Sequence, residues 1–171
     1  MKKILGFMIA VMLIAAAPVA AANGKIGVID LQKVLRTSAA GQAAQKTIAE
    51  KAQAFQKTMQ SRQEDLQKLN AEFEKQKMML SKEAIAEKER DLQQKVKDFQ
   101  RFGNDAKEEL QQEDRQATSR ILDEVAKVVK DLGAKNGYDV IVEKSTTLYT
   151  SDGVDLTDQV VKAYDKKYKG K

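Results

Sequence analysis

Glu108-Glu109 and Glu113-Asp114 are the nearest approach to a catalytic pair in this chain of 171 residues. Two neighbouring carboxylates can divide acid and base work when their surroundings push their pKa values apart. These four lie among many lysines and arginines, which is the composition of a solvated helix face. The chain has no histidine and no cysteine. The usual general base, the thiolate nucleophile and most transition-metal ligands are therefore missing. A P-loop, a G-x-S-x-G elbow and a Rossmann glycine pattern are missing too. The sequence argues against an enzyme, and it implies no cofactor and no metal.

A contact surface is the better-supported chemistry. The stretch "KQKMMLSKEAIAEKER" begins at Lys75 and sets Met78, Met79 and Leu80 among Lys75, Lys77 and Lys82. Methionine is flexible and polarisable, and it serves surfaces that accept many partners. The lysines would ring it with positive charge, suited to acidic segments of a bound protein or to anionic lipid head groups. Leu80 continues an apolar spacing from Phe73 and reads as a packed residue. Met78 and Met79 lie off that spacing; they are expected at a surface, unless one of them packs beneath a turn.

The element that must carry this surface is helical. From Gln42 to Lys135 there is no proline, and strong helix formers predominate. Ile48, Ala52, Phe55, Met59, Leu66, Leu69, Phe73 and Leu80 follow the four-and-three spacing of a coiled-coil seam, with Arg62 and Gln76 at two skipped sites. A second run comprises Ile85, Leu92, Val96, Phe99, Ala106, Leu110, Ala117, Ile121, Val125, Val128 and Leu132. Glu64/Lys68, Asp91/Lys95 and Asp123/Lys127 are spaced for i,i+4 support. A single helix over this stretch would be roughly 140 Å long. Two arms folded back on each other give each seam a partner. The turn is expected near Ser81, an N-cap with Glu83 behind it. Gly103-Asn104-Asp105 is the competing turn, but it would leave the arms unequal, so Gly103 is read as a hinge within the second arm.

The flanks differ. Lys25-Ile-Gly-Val-Ile-Asp30 and Tyr138-Asp-Val-Ile-Val-Glu143 read as strands, with a short helix at Leu31–Arg36 after the first. Thr146–Thr150 could form a third strand, and Asp155 with Asp158 can cap a final helix. The expected fold is α+β and mostly α: a long antiparallel helical hairpin at 42–135 inserted into a small β-rich body at 23–41 and 136–171. A body this small without disulfides or metal ligands needs partners. Its edge strands offer pairing between chains. Ile26, Val28, Val140 and Val142, and less strongly Leu148, Val160 and Val161, are the expected oligomer core.

Residues 1–22 read as a cleaved signal peptide. Lys2-Lys3, an apolar run from Ile4 to Ala17, Pro18 and Ala20-x-Ala22 precede a cleavage point at Asn23. The run is short of the ~20 residues that span a bilayer. Losing Lys2 and Lys3 reduces 30 basic residues to 28 against 25 acidic, a net charge of +3. That mild excess is spread evenly, unlike the concentrated basic face of a nucleic-acid binder.

The blocks "GKIGVIDLQKVL" at 24–35, "GYDVIVEK" at 137–144 and "LYTSDGVDLTDQVV" at 148–161, with the helical insert between them, resemble the Skp/OmpH family of periplasmic chaperones. The resemblance covers the whole chain after the leader. It implies a homotrimer with a barrel-like hub and three helical hairpins enclosing a cavity. It also implies that unfolded outer-membrane β-barrel proteins are held there without ATP. The family is linked to lipopolysaccharide through basic residues, but no position here can be matched to such a site. A structural coiled-coil spacer or adaptor of the cell envelope is the alternative.

Overall fold

The computed structural model describes residues 24–168. The expected signal peptide and its cleavage point lie outside them. Strand β1 (Ile26–Ile29) leads through α1 (Leu31–Thr37) into α2 (Ala39–Gln76). A single 3₁₀ turn at Lys77–Met79 reverses the chain into α3 (Lys82–Asn136), and β2 (Val140–Glu143) and α4 (Thr157–Tyr168) follow. The fold is α+β and mostly α, as expected.

Caps set the helix boundaries. Asp30 accepts a hydrogen bond from Lys33 N at 2.7 Å and starts α1. Ser38 ends α1, its N–H donating to Val34 O, and starts α2 by accepting from Gly41 N. α3 ends on Gly137, whose φ of +67° is the left-handed conformation that glycine adopts without steric cost.

The strands explain the inserted hairpin. β1 and β2 are parallel, with Ile26 opposite Val140 and Ile29 opposite Glu143. Parallel neighbours require a crossover that brings the chain back to the same end. Here the crossover is the whole pair of arms. Contacts between them run in opposite directions: Lys51 meets Glu113, Met59 meets Gly103, and Lys77 meets Glu89.

α3 has 55 residues against 38 in α2, and the surplus goes into the body. Ile121, Val125 and Val128 pack with Ile29, Val34, Leu156, Val160 and Tyr164 in one core. The last third of α3 therefore belongs to the body's core as well as to the arm. Lys33 and Asp158 add an ion pair at 2.7 Å, and Tyr164 Oη donates to Glu124 Oε2 at 2.7 Å. Burial and that hydrogen bond push the Tyr164 hydroxyl pKa upward.

The body holds less strand than expected. Thr146–Thr150 forms no third strand. Thr146 Oγ1 donates to Glu143 O at 2.7 Å, and the Thr147 hydroxyl and N–H both donate to Lys144 O. Such local hydrogen bonds compete with a sheet ladder. The remaining sheet contact of β1 is instead a bridge to Asp155, with Leu156 N donating to Val28 O at 2.8 Å.

Candidate functional site

The far end of the hairpin is built by three local events. α2 stops at Gln76, and the tighter 3₁₀ turn follows. Ser81, with extended φ −68° and ψ 159°, then caps α3 by accepting from Ala84 N at 3.2 Å. Glu83 lies in the first turn of α3, facing its positive end. Phe73 is buried and Leu80 half-buried, so these two close the turn from inside. Met78 and Met79 have no such cover and are 96% and 83% exposed.

The three lysines are not equivalent. Lys77 Nζ lies 3.6 Å from Glu89 and 5.3 Å from the centroid of the Phe73 ring. Among the described residues, Lys75 and Lys82 have no carboxylate within ion-pair distance, and both are exposed. The arrangement is an apolar thioether pair beside uncompensated positive charge. Among the described residues it shows no proton relay and no paired acid and base. Among the described residues no group of acidic side chains could hold a metal ion.

Below the tip the arms are incompletely sealed. A groove of about 520 Å³ lies between them, lined by Leu66, Leu69 and Phe99 together with charged residues that include Arg62, Asp65 and Lys95. Val96, expected in the seam, is exposed. The interruption at Arg62 is filled by stacking: its guanidinium carbon lies 4.2 Å from the centroid of the Phe102 ring. Of the three spaced ion pairs expected on the helix faces, Asp91 and Lys95 meet at 3.9 Å, whereas Glu64 accepts from Gln60.

α3 continues through Gly103 without interruption, and Met59 closes on it from α2. A Cβ there would lie 3.3 Å from Met59 Cε. Two of the carboxylates at 108–114, Glu109 and Glu113, face the other arm. Lys51 of α2 pairs with Glu113 and lies 3.6 Å from Glu109. The hydrogen bond to Glu113, above all, raises the Lys51 pKa.

At the opposite end of the molecule the expected oligomer core divides. Val28 and Val160, 1% and 0% exposed, already lie in the chain's own interior. The Asp155–Leu156 segment bridges beside Val28, and Val160 packs from α4 into the core formed with the end of α3. Val142 is half-buried, and Val161 packs against the core. Ile26, Val140 and Leu148 are exposed, and Tyr149 joins them as a residue that sequence reasoning missed. Its signal was an aromatic next to Leu148 in a segment expected to pair as a strand.

A helical hairpin closed by a two-stranded body defines the class of protein. Residues 25–164 match the family described as outer membrane protein (OmpH-like), and the chain belongs to that family. It is 25% identical over 161 residues to a Skp-like protein of Pseudomonas aeruginosa, covering 94% of this chain and 96% of that one. An uncharacterized protein of Aquifex aeolicus is 25% identical over 138 residues, covering 81% and 84%. Among solved structures, a putative outer membrane chaperone (OmpH-like) from Caulobacter crescentus superposes with a TM-score of 0.80. That alignment is 18% identical and covers 85% of this chain and 86% of the other, a likeness of fold.

Proposed function

We propose that this protein is an ATP-independent holdase of the periplasm that keeps unfolded outer-membrane β-barrel proteins soluble between its helical arms. Membership of the OmpH-like family supports a chaperone role. The observation that carries the finer reading is the placement of exposed apolar groups at both ends of a highly charged molecule. Met78 and Met79 occupy the tip, and Ile26, Val140, Leu148 and Tyr149 occupy the body. The body patch serves assembly into a homotrimer, and the tip serves the client. An unfolded β-barrel chain presents alternating apolar side chains and unpaired backbone groups. Loose contact with thioethers shields such a chain without imposing a shape. Lys75 and Lys82, and less so Lys77 beside Glu89, give the same tip an affinity for acidic client segments, and for anionic lipid or lipopolysaccharide head groups. The even spread of the remaining charge gives nucleic acid no concentrated basic face.

The test is suppression of aggregation of a urea-unfolded β-barrel protein, with the mass of the complex measured by light scattering. Met78→Ser with Met79→Ser should weaken holding several-fold while the melting temperature barely moves. Unchanged holding would remove the tip from client capture. An adaptor or spacer would hold no client in any form.

A further inference from the structure

The tip has a second chemistry. Among the described residues there are three methionines, and the fold separates them sharply. Met59 lies half-buried in the seam with its methyl group against Gly103. Met78 and Met79 stand almost fully in solvent on a one-turn 3₁₀ segment. The chain has no cysteine, so no thiol competes for an oxidant. We propose that Met78 and Met79 form a paired sulfoxidation site, and that oxygen transfer to them reversibly lowers the capture strength of the tip.

The reaction needs a two-electron oxidant of the peroxide class. A sulfur lone pair attacks one peroxide oxygen, an S–O bond forms and the O–O bond breaks. The departing hydroxide takes the proton carried by the oxygen now on sulfur, so peroxide is reduced to water as the thioether is oxidised to a sulfoxide. Return requires two electrons from a pair of thiols, which close to a disulfide while the sulfoxide oxygen leaves as water, a transfer carried out by a methionine sulfoxide reductase. Access controls susceptibility, and the product is a polar group in place of an apolar one. In the seam, that change would disturb packing between the arms. At the tip neither sulfur is packed, so the surface becomes polar while the fold is untouched. A group that alters binding without altering folding is what a reversible control point requires.

The loss of capture rests on the reading of the tip as a client surface; the selectivity of oxidation does not. Purified protein is treated with dilute hydrogen peroxide, and sulfoxide at each methionine is followed by peptide mapping. Met78 and Met79 should oxidise several-fold faster than Met59. Oxidation of Met59 at an equal rate would overturn the site. Holding of an unfolded β-barrel protein is then compared before oxidation, after it, and after treatment with reductase and a dithiol. Holding should fall several-fold and return, with the melting temperature unchanged. A variant carrying Met78→Leu and Met79→Leu cannot accept oxygen at the tip, so whatever holding it shows before peroxide should be the same after it. A loss of holding in that variant would overturn the assignment of the effect to the tip. Full holding by wild-type protein carrying both sulfoxides would overturn the control. Full holding by the Met78→Ser, Met79→Ser variant would separately reject the tip as a client surface.

Discussion

The Arg62 guanidinium stacks on the Phe102 ring at 4.2 Å, and the same ring meets Phe55 edge-on at 5.9 Å. One aromatic side chain of α3 thus satisfies both an apolar seam residue and the charged residue that interrupts the seam. Edge-to-face rings and a cation over a ring face each add roughly 0.5–1.5 kcal/mol beyond simple burial. Phe102→Leu keeps much of the apolar volume and should cost about 1–2 kcal/mol. Arg62→Gln should cost about 0.5–1 kcal/mol beside Phe102 and almost nothing in a chain already carrying Phe102→Leu. A double-mutant cycle by urea unfolding checks this; additive losses would mean that the stack contributes nothing.

Gly103 makes the opposite kind of contact. Alanine there would raise helix propensity by about 1 kcal/mol. Its Cβ would meet the flexible end of Met59, which can shift by a few tenths of an ångström. Gly103→Ala should therefore stabilise the hairpin by about 0.5 kcal/mol. A clear drop in melting temperature would show that Met59 has nowhere to go.

Asp155 should reveal itself in acid. Its carboxylate accepts from Thr157 at 2.9 Å and pairs with Lys144 at 3.1 Å. The Thr157 hydrogen bonds first, and Lys144 after them, hold its pKa at about 2, below the ordinary 3.8. A carboxyl with a lowered folded pKa stabilises the fold above its unfolded value, and loses that contribution as pH falls through its folded value. The contribution should be intact above about pH 5, much reduced near pH 2 and gone near pH 1. Asp155→Ala should then cost about 1 kcal/mol at pH 7 and little near pH 2, by urea unfolding at the two pH values. An equal cost at both would assign the loss to packing.

Buried and exposed apolar residues of the body allow folding to be tested separately from the proposed assembly. Val160→Asp places an unpaired charge in the chain's own core and should cost several kcal/mol, abolishing the fold. Leu148→Asp or Tyr149→Asp lies on exposed surface and should leave the helical circular dichroism intact while dissociating the proposed trimer. Sedimentation at several concentrations decides the matter. An unchanged oligomer in both surface variants would place the interface elsewhere.

Periodicity was enough to define the arms and their reversal. Helix formers, the seam spacing and a serine followed by Glu83 are local signals, and Ser81 caps α3 in the structure. The exposure of Met78 and Met79 was legible as an open alternative, because residues off a seam at a turn have few places to pack. What the sequence by itself could not decide was which apolar residues the chain would cover internally. Val28 and Ile26 share strand alternation, yet Asp155–Leu156 bridges beside Val28 and leaves Ile26 exposed. Val160 reads like any apolar residue of an amphipathic helix until α4 docks against the end of α3. Thr146–Thr150 has the composition of a strand but spends its hydrogen-bonding groups on its own neighbours. Gly103 reads as a soft point until Met59 arrives from 44 positions away in the sequence. Spacing along a chain determines which faces are apolar. Only the tertiary structure decides what covers each face, because burial depends on segments distant in sequence whose approach no local pattern encodes.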